Sequence, residues 1–185
     1  MKHLKTPGMI MVFCLSAALS LAGQDTEKVL TLEDIYRNGT YSTRYYRSVR
    51  WMEDSRHYTT LENNRERGCS EIIRYDVESG ERMVLVGADQ LAPRGGQEIL
   101  DVRDYHWSGD NSKLLLFTNT RRVWRYHTRG DYWVLDLKTG SLNQLGETLP
   151  GSSLMFAKFS PDGRRAAYVS GHNIYVEDLY SKDIT

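Results

Sequence analysis

Apolar and polar positions along this chain fall into short runs that repeat in a fixed order. Val49-Arg50-Trp51-Met52-Glu53-Asp54, Tyr105-His106-Trp107-Ser108-Gly109-Asp110 and Ala157-Lys158-Phe159-Ser160-Pro161-Asp162-Gly163 each set an aromatic residue just ahead of a polar turn. A second phrase follows in each unit: Tyr75-Asp76-Val77-Glu78-Ser79-Gly80, Leu135-Asp136-Leu137-Lys138-Thr139-Gly140 and Glu177-Asp178-Leu179-Tyr180-Ser181-Lys182. A spacing of roughly 40 to 60 residues is the range of a propeller blade or solenoid module.

Between these phrases the pattern predicts strands. Lys113 to Thr118, Asp131 to Leu137, Arg165 to Ser170 and Asn173 to Asp178 are rich in Leu, Val, Tyr and Trp and bounded by turn formers. Ser160-Pro161-Asp162-Gly163 suits a tight turn, and Ser170-Gly171-His172-Asn173 leaves room only for a hairpin. Each unit reads as a four-stranded antiparallel meander, which must pack against copies of itself to cover its faces. The fold class is all-β: an incomplete β-propeller of about three blades, the last partial. Gly87 to Gln97, with Pro93, Gly95 and Gly96, reads as a loop between blades. The one convincing helix starts at Thr31-Leu32-Glu33-Asp34-Ile35-Tyr36, where Thr31 caps towards Asp34, Leu32, Ile35 and Tyr36 give an apolar face, and Asn38-Gly39 stops it.

The N-terminus changes the picture of where the protein works. Lys2, His3 and Lys5 lead into the apolar run Met9 to Ala18, and Ser20-Leu21-Ala22 offers small residues for cleavage. That order predicts a signal peptide over residues 1–22 and an exported protein, periplasmic or secreted and bacterial. Residues 23–40 form an N-terminal segment with the short helix, and 41–185 the propeller region. The bulky Met11-Val12-Phe13 ahead of Cys14 argues against a lipid-modified cysteine. Without the first 22 residues, 22 Lys and Arg face 24 Asp and Glu, a net charge of −2. Nucleic-acid binding requires a basic surface that displaces phosphate counterions, and none is expected here. Cys69 is then the single cysteine, which excludes an internal disulfide; a buried apolar role is its default, with a free thiol or an outside partner as alternatives.

Candidate chemistry is sparse. Gly-x-Ser-x-Gly, His-Glu-x-x-His, paired cysteine ligands and phosphate-binding glycine loops do not occur, so no catalytic residue, metal or cofactor is expected. His57, His106, His127 and His172 are scattered and read as structural. The segment Phe117 to Tyr132 differs, reading as an insertion longer and more basic than a hairpin needs, with Arg121, Arg122, Arg125 and Arg129. Planar guanidinium groups suit carboxylates and peptide carbonyls. Composition alone favours a solvated face paired with neighbouring acids.

From Thr31-Leu32-Glu33-Asp34-Ile35 through Asn173-Ile174-Tyr175-Val176, the chain resembles the N-terminal propeller of the dipeptidyl peptidase IV family of prolyl-oligopeptidase-type serine peptidases. Trp124-Arg125-Tyr126-His127 is similar to the family's Trp-Arg-His-Ser stretch, departing from it at the last two positions. Phe159-Ser160-Pro161-Asp162-Gly163-Arg164, Ala167-Tyr168-Val169 and Asn173-Ile174-Tyr175-Val176 add motifs common to many propellers. The resemblance implies that Arg125 donates hydrogen bonds to a carbonyl of a bound peptide, with Trp124 packing to fix the loop. It implies a peptide substrate, further C-terminal blades bearing an acidic Glu-Glu segment, an α/β-hydrolase domain, and homodimerisation of the whole protein. Such a protein would release Xaa-Pro or Xaa-Ala dipeptides, while this chain, without Ser, His and Asp in a catalytic set, would be inactive alone. The alternative is a non-catalytic periplasmic protein-binding propeller similar to TolB, for which the Ser-Pro-Asp-Gly turns argue equally well.

Overall fold

In a computed structural model, residues 29–43, 49–94 and 98–185 are described. The signal segment expected over 1–22, Cys14, Gly95, Gly96 and Gln97 lie outside them. The chain divides into two compact units at Arg44/Tyr45, taken separately below.

In the first unit, Glu33–Arg37 winds a single wide helical turn closed by Asn38 N–H donating to the Glu33 carbonyl at 2.8 Å. The Thr31 hydroxyl accepts from the Asp34 N–H at 3.1 Å and donates to the Asp34 carboxylate at 2.9 Å, the expected cap. Hydrogen bonds from Thr31, Asn38 and Thr40 hold the Asp34 carboxyl below its ordinary range. The apolar face expected of Leu32, Ile35 and Tyr36 is instead exposed, so local hydrogen bonds and not burial define this turn.

The second unit is built from three consecutive antiparallel meanders. The first blade pairs β1 (Arg50–Trp51), β2 (His57–Asn64), β3 (Cys69–Asp76) and β4 (Arg82–Val86) in chain order. The second has β5 (Asp104–Trp107), β6 (Lys113–Val123), β7 (Tyr126–Asp136) and β8 (Leu142–Gln144). The third has β9 (Leu154–Phe159), β10 (Arg165–Ser170) and β11 (Asn173–Asp178). A bridge between Glu177 and Ile184 occupies its fourth-strand position. This is the incomplete β-propeller that the repeat predicts. The stretch after β4 is more ordered than a plain loop: Ala88–Leu91 forms a tight helical turn that buries Ala88 and Leu91.

The repeated phrases fold into repeated turns. In the first, Asp54, Asp110 and Asp162 each accept a backbone N–H two residues on, from Arg56 at 3.0 Å, Ser112 at 3.1 Å and Arg164 at 3.0 Å. Ser55, Asn111 and Gly163 take the positive-φ position. Backbone hydrogen bonds from His57 and Arg56 lower the Asp54 carboxyl to about 2. In the second phrase, Asp76, Asp136 and Asp178 each accept two backbone N–H groups, and the next turn position has φ 69° at Gly80, 69° at Gly140 and 66° at Lys182. Lys182 carries a side chain in the left-handed region that its two counterparts leave to glycine. Lys182 Nζ also lies 3.9 Å from the buried Glu177 carboxylate, so the strain is read from Lys182→Gly against Lys182→Ala, which both lose that contact. The Gly chain is expected to be more stable than the Ala chain by about 0.5–1 kcal/mol in a thermal or urea melt; an equal or lower midpoint would show that the turn is not strained.

Blade-to-blade packing follows from alternation on the central meander. Leu114, Leu116 and Leu135 join Leu61, Ile72 and Tyr105 in one core, while Leu115, Phe117 and Val134 join Leu154, Ala166 and Tyr168 in another. With both faces covered, β6 reads as the unbroken apolar run Leu114-Leu115-Leu116-Phe117. Polar ties cross each seam. Between blades one and two, Thr59 Oγ1 accepts from the Tyr105 hydroxyl at 2.8 Å and from Trp107 Nε1 at 3.1 Å, and Arg50 pairs with Asp104 at 3.1 Å. Between blades two and three, the buried Glu177 carboxylate accepts from the Gly146 N–H at 2.9 Å and the Tyr168 hydroxyl at 3.1 Å. Cys69 is a buried free thiol whose pKa is raised by that burial.

Candidate functional site in the β6–β7 arm

The segment between Phe117 and Tyr132, expected as an inserted loop, is the outer half of a long hairpin. β6 and β7 are each eleven residues, and pairing runs from Lys113 opposite Asp136 to Val123 opposite Tyr126, with Trp124-Arg125 as the two-residue turn. β5 stops pairing at Phe117 and β8 at Trp133, so the hairpin continues beyond the blade as an arm. Sequence patterning misses this because Asn119-Thr120-Arg121-Arg122 has no alternating apolar face, and two bulges break the period. One bulge adds a residue to β6 between Thr118 and Arg121, and the other adds a residue to β7 opposite Arg121-Arg122.

The root of the arm is tightly specified. A Cβ at Gly130 would lie 2.5 Å from the Phe117 ring and 2.6 Å from the Thr118 carbonyl oxygen, so the crossing admits only glycine. Gly130 also pairs with Leu154, joining blade two to β9. Asp131 accepts from Asn119 Nδ2 at 2.7 Å and from the Ser152 N–H at 2.6 Å, and the Ser152 hydroxyl donates to the Asn119 carbonyl at 2.7 Å. The Phe117 and Tyr132 rings stack at 4.7 Å. Burial raises the Tyr132 phenol, against hydrogen bonds from the Ala157 and Phe156 backbone that act in the other direction.

Backbone strain gathers here. Among the described residues, the non-glycine positions with positive φ are the three turn residues Ser55, Asn111 and Lys182, and four more: Asn119, Trp124, Ser152 and Phe156. All four of the latter lie on the arm or in the segment bonded to its root. Trp124, at φ 61°, fills the first turn position, where a two-residue hairpin favours glycine. Side chains held this way concentrate at ligand-facing sites.

Arg125 therefore stands at the tip, exposed. Trp124 beside it is 93% exposed and packs on nothing, which corrects the expectation that it fixes the loop; Gly130, Asn119 and Ser152 do that at the root. Arg121 and Arg129 face each other directly across the strands, Arg122 faces His127, and His127 Nδ1 bonds the Thr120 hydroxyl at 2.8 Å. Arg122 Nε donates to the Trp124 carbonyl at 3.1 Å. Among the described residues none of the four arginines makes an ion pair, so the composition-based expectation of neighbouring acids does not hold. An open cavity of about 950 Å³ borders the root, lined by Glu98, Asp101, Arg103, Asn119, His127 and Asp131 among others. No cluster of three His, Cys, Asp or Glu side chains suited to a metal ion occurs among the described residues.

A long basic arm rooted in the second blade is the feature to set against known proteins. Residues 108–185, which include the arm, match the family model of the dipeptidyl peptidase IV (DPP IV) N-terminal region. The chain is related to the N-terminal region of DPP IV-type peptidases. It is 31% identical over 110 residues to a probable dipeptidyl-aminopeptidase B of Aspergillus oryzae, covering 59% of this chain and 12% of that protein. Mouse prolyl endopeptidase FAP is 27% identical over 153 residues, covering 83% of this chain and 18% of that protein. The crystal structure of Porphyromonas gingivalis dipeptidyl peptidase 4 superposes with a TM-score of 0.66 at 28% identity, over 86% of this chain and 22% of that one. The chain thus spans less than a fifth of the length of these two curated relatives.

Of the residues that sequence reasoning singled out, the fold brings Arg121, Arg122, Arg125 and Arg129 onto one arm with Trp124 and His127. It leaves His57, His106 and His172 elsewhere: His57 is bonded to Asp54 at 2.7 Å, and His106 is an exposed residue of β5. Asn119, Ser152 and Phe156 carried no sequence signal, since positive φ at a non-glycine residue leaves no trace in composition.

Proposed function

We propose that this chain is the propeller part of an exported, DPP IV-like serine peptidase that releases Xaa-Pro or Xaa-Ala dipeptides. The carrying observation is the strained, eleven-residue-stranded arm that holds Arg125 clear of the blade with no acidic partner among the described residues. A guanidinium presented on a rigid hairpin can donate two parallel hydrogen bonds to a peptide carbonyl. Its rigid root limits the number of poses a bound peptide can take. The blades would form the wall that restricts access by size, and the hydrolytic Ser, His and Asp would come from a domain outside this chain. A short hairpin at this position would have favoured a purely protein-binding propeller; the long arm does not.

The test uses the complete protein that carries this region and an Xaa-Pro chromogenic substrate. Arg125→Ala is expected to lower kcat/KM by roughly 10- to 100-fold, the loss of about 1.5–3 kcal/mol for a charge-assisted bond shielded from water. The 185-residue chain itself should show no turnover. An unaltered kcat/KM would reduce the arm to scaffold, and turnover by the pure chain would overturn the division of labour.

A further inference from the structure

Arg121 and Arg129 hold a different position from Arg125. They are Cα partners across the arm, so their side chains leave the same face side by side. Opposed residues on paired strands have Cβ atoms about 5 Å apart, and like charges placed there repel. Elsewhere in the chain arginines meet acids, as in Arg56 with Asp76 at 2.6 Å and Arg82 with Glu62 at 3.0 Å. Among the described residues Arg121 and Arg129 have neither an ion pair nor a side-chain hydrogen bond, and both are exposed. Bulges on either side fix this pairing, so the two guanidinium groups are set together by the backbone and not by chance rotamers.

We propose that Arg121 and Arg129 form a carboxylate clamp for an acidic peptide segment, a site separate from Arg125 at the tip. The occupant is a peptide because of what surrounds the pair. Beyond Phe117 and Gly130 neither strand of the arm has an outer neighbour among the described residues, leaving main-chain edges along 120–123 and 126–129 that an extended peptide can join. The same face continues into Val123 opposite Tyr126, an apolar and hydroxyl-bearing step suited to a side chain next to the acid. A nucleic acid would need phosphate contacts over a wider basic surface, and the chain has equal numbers of basic and acidic residues.

The full chain decides the matter by fluorescence anisotropy with a labelled Glu-containing octapeptide, its Gln analogue and a single-stranded oligonucleotide of equal charge. The Glu peptide is expected to bind about tenfold tighter than the Gln peptide at low salt, and the preference to weaken as salt rises. Arg121→Gln/Arg129→Gln should abolish the preference, Arg121→Lys/Arg129→Lys should keep part of it, and Arg164→Gln/Arg165→Gln, which removes the same charge elsewhere, should leave it intact. In melts without peptide, the Arg121→Gln/Arg129→Gln chain should unfold at a higher temperature than the parent, because the repulsion is gone; this readout also confirms folding. Equal affinity for the Glu and Gln peptides, a preference that survives the double Gln change, a lowered melting point, or tighter binding of the oligonucleotide would each overturn the clamp. None of these readouts involves hydrolysis or Arg125, so the clamp and the peptidase reading can fail independently.

Discussion

Gly130→Ala is expected to lower the stability of the chain by roughly 3 kcal/mol, the upper range for forcing atoms into a packed crossing. The added methyl would sit 2.6 Å from the Thr118 carbonyl oxygen, and that oxygen is backbone held by the ladder, so it cannot rotate away. The other close atom belongs to the Phe117 ring, itself stacked on Tyr132 within the core between blades two and three. Relief requires β6 and β7 to separate at the root of the arm, which also strains the Gly130–Leu154 pairing that joins the two blades. Urea unfolding of the two chains measures the effect. A difference under about 0.5 kcal/mol, the scatter of neutral surface changes, would show that the crossing is looser than its geometry.

Thr59→Val should cost about 2–4 kcal/mol although the two side chains have nearly the same shape. Thr59 Oγ1 is the acceptor for two donors from the neighbouring blade, the Tyr105 hydroxyl and Trp107 Nε1, and both Thr59 and Tyr105 are fully buried. A methyl in its place removes the acceptor of both bonds, and a hydrogen bond lost from a buried seam costs about 1–3 kcal/mol. Burial already pushes the Tyr105 phenol up to about 12, so ionisation offers no escape at neutral pH. Thr59→Ser keeps the oxygen and should recover most of the loss. Equal destabilisation by Ser and Val would assign the effect to packing alone.

The sequence made the repeating part of the fold readable because each blade spends its recognisable residues at backbone positions with one solution. Asp76, Asp136 and Asp178 cap equivalent turns, and Gly80 and Gly140 supply the conformation that follows. Arg165–Ser170 and Asn173–Asp178 form strands with the predicted limits, joined by the predicted two-residue hairpin. Very short strands such as Arg50–Trp51 and Leu142–Gln144 leave too few residues for any period to register.

The arm was legible as chemistry and illegible as structure. Its arginines stand out in composition, but a strand pair exposed on both faces has no apolar alternation to announce it. Trp124 misled for a related reason: a large aromatic residue usually reports burial, and here it occupies a strained turn in solvent. The contacts that hold the root, Asn119 to Asp131 and Ser152 to Asn119, join residues 12 and 33 apart and depend on a fold already in place.

The two bulges compensate each other. From Thr118 to Val123 and from Asp131 back to Tyr126 the strands use the same number of residues, since each loses one to a bulge, and the turn closes evenly. Every bulge also adds local right-handed twist, so the arm coils at two points without any slip at its end. The heading of Trp124 and Arg125 is thereby set by residues near 119 and 128 that have no need to touch a ligand. Gaining or losing a single residue there would steer an unchanged tip to a new target, which makes the base of this hairpin a place where recognition can diverge while the recognising side chains stay the same.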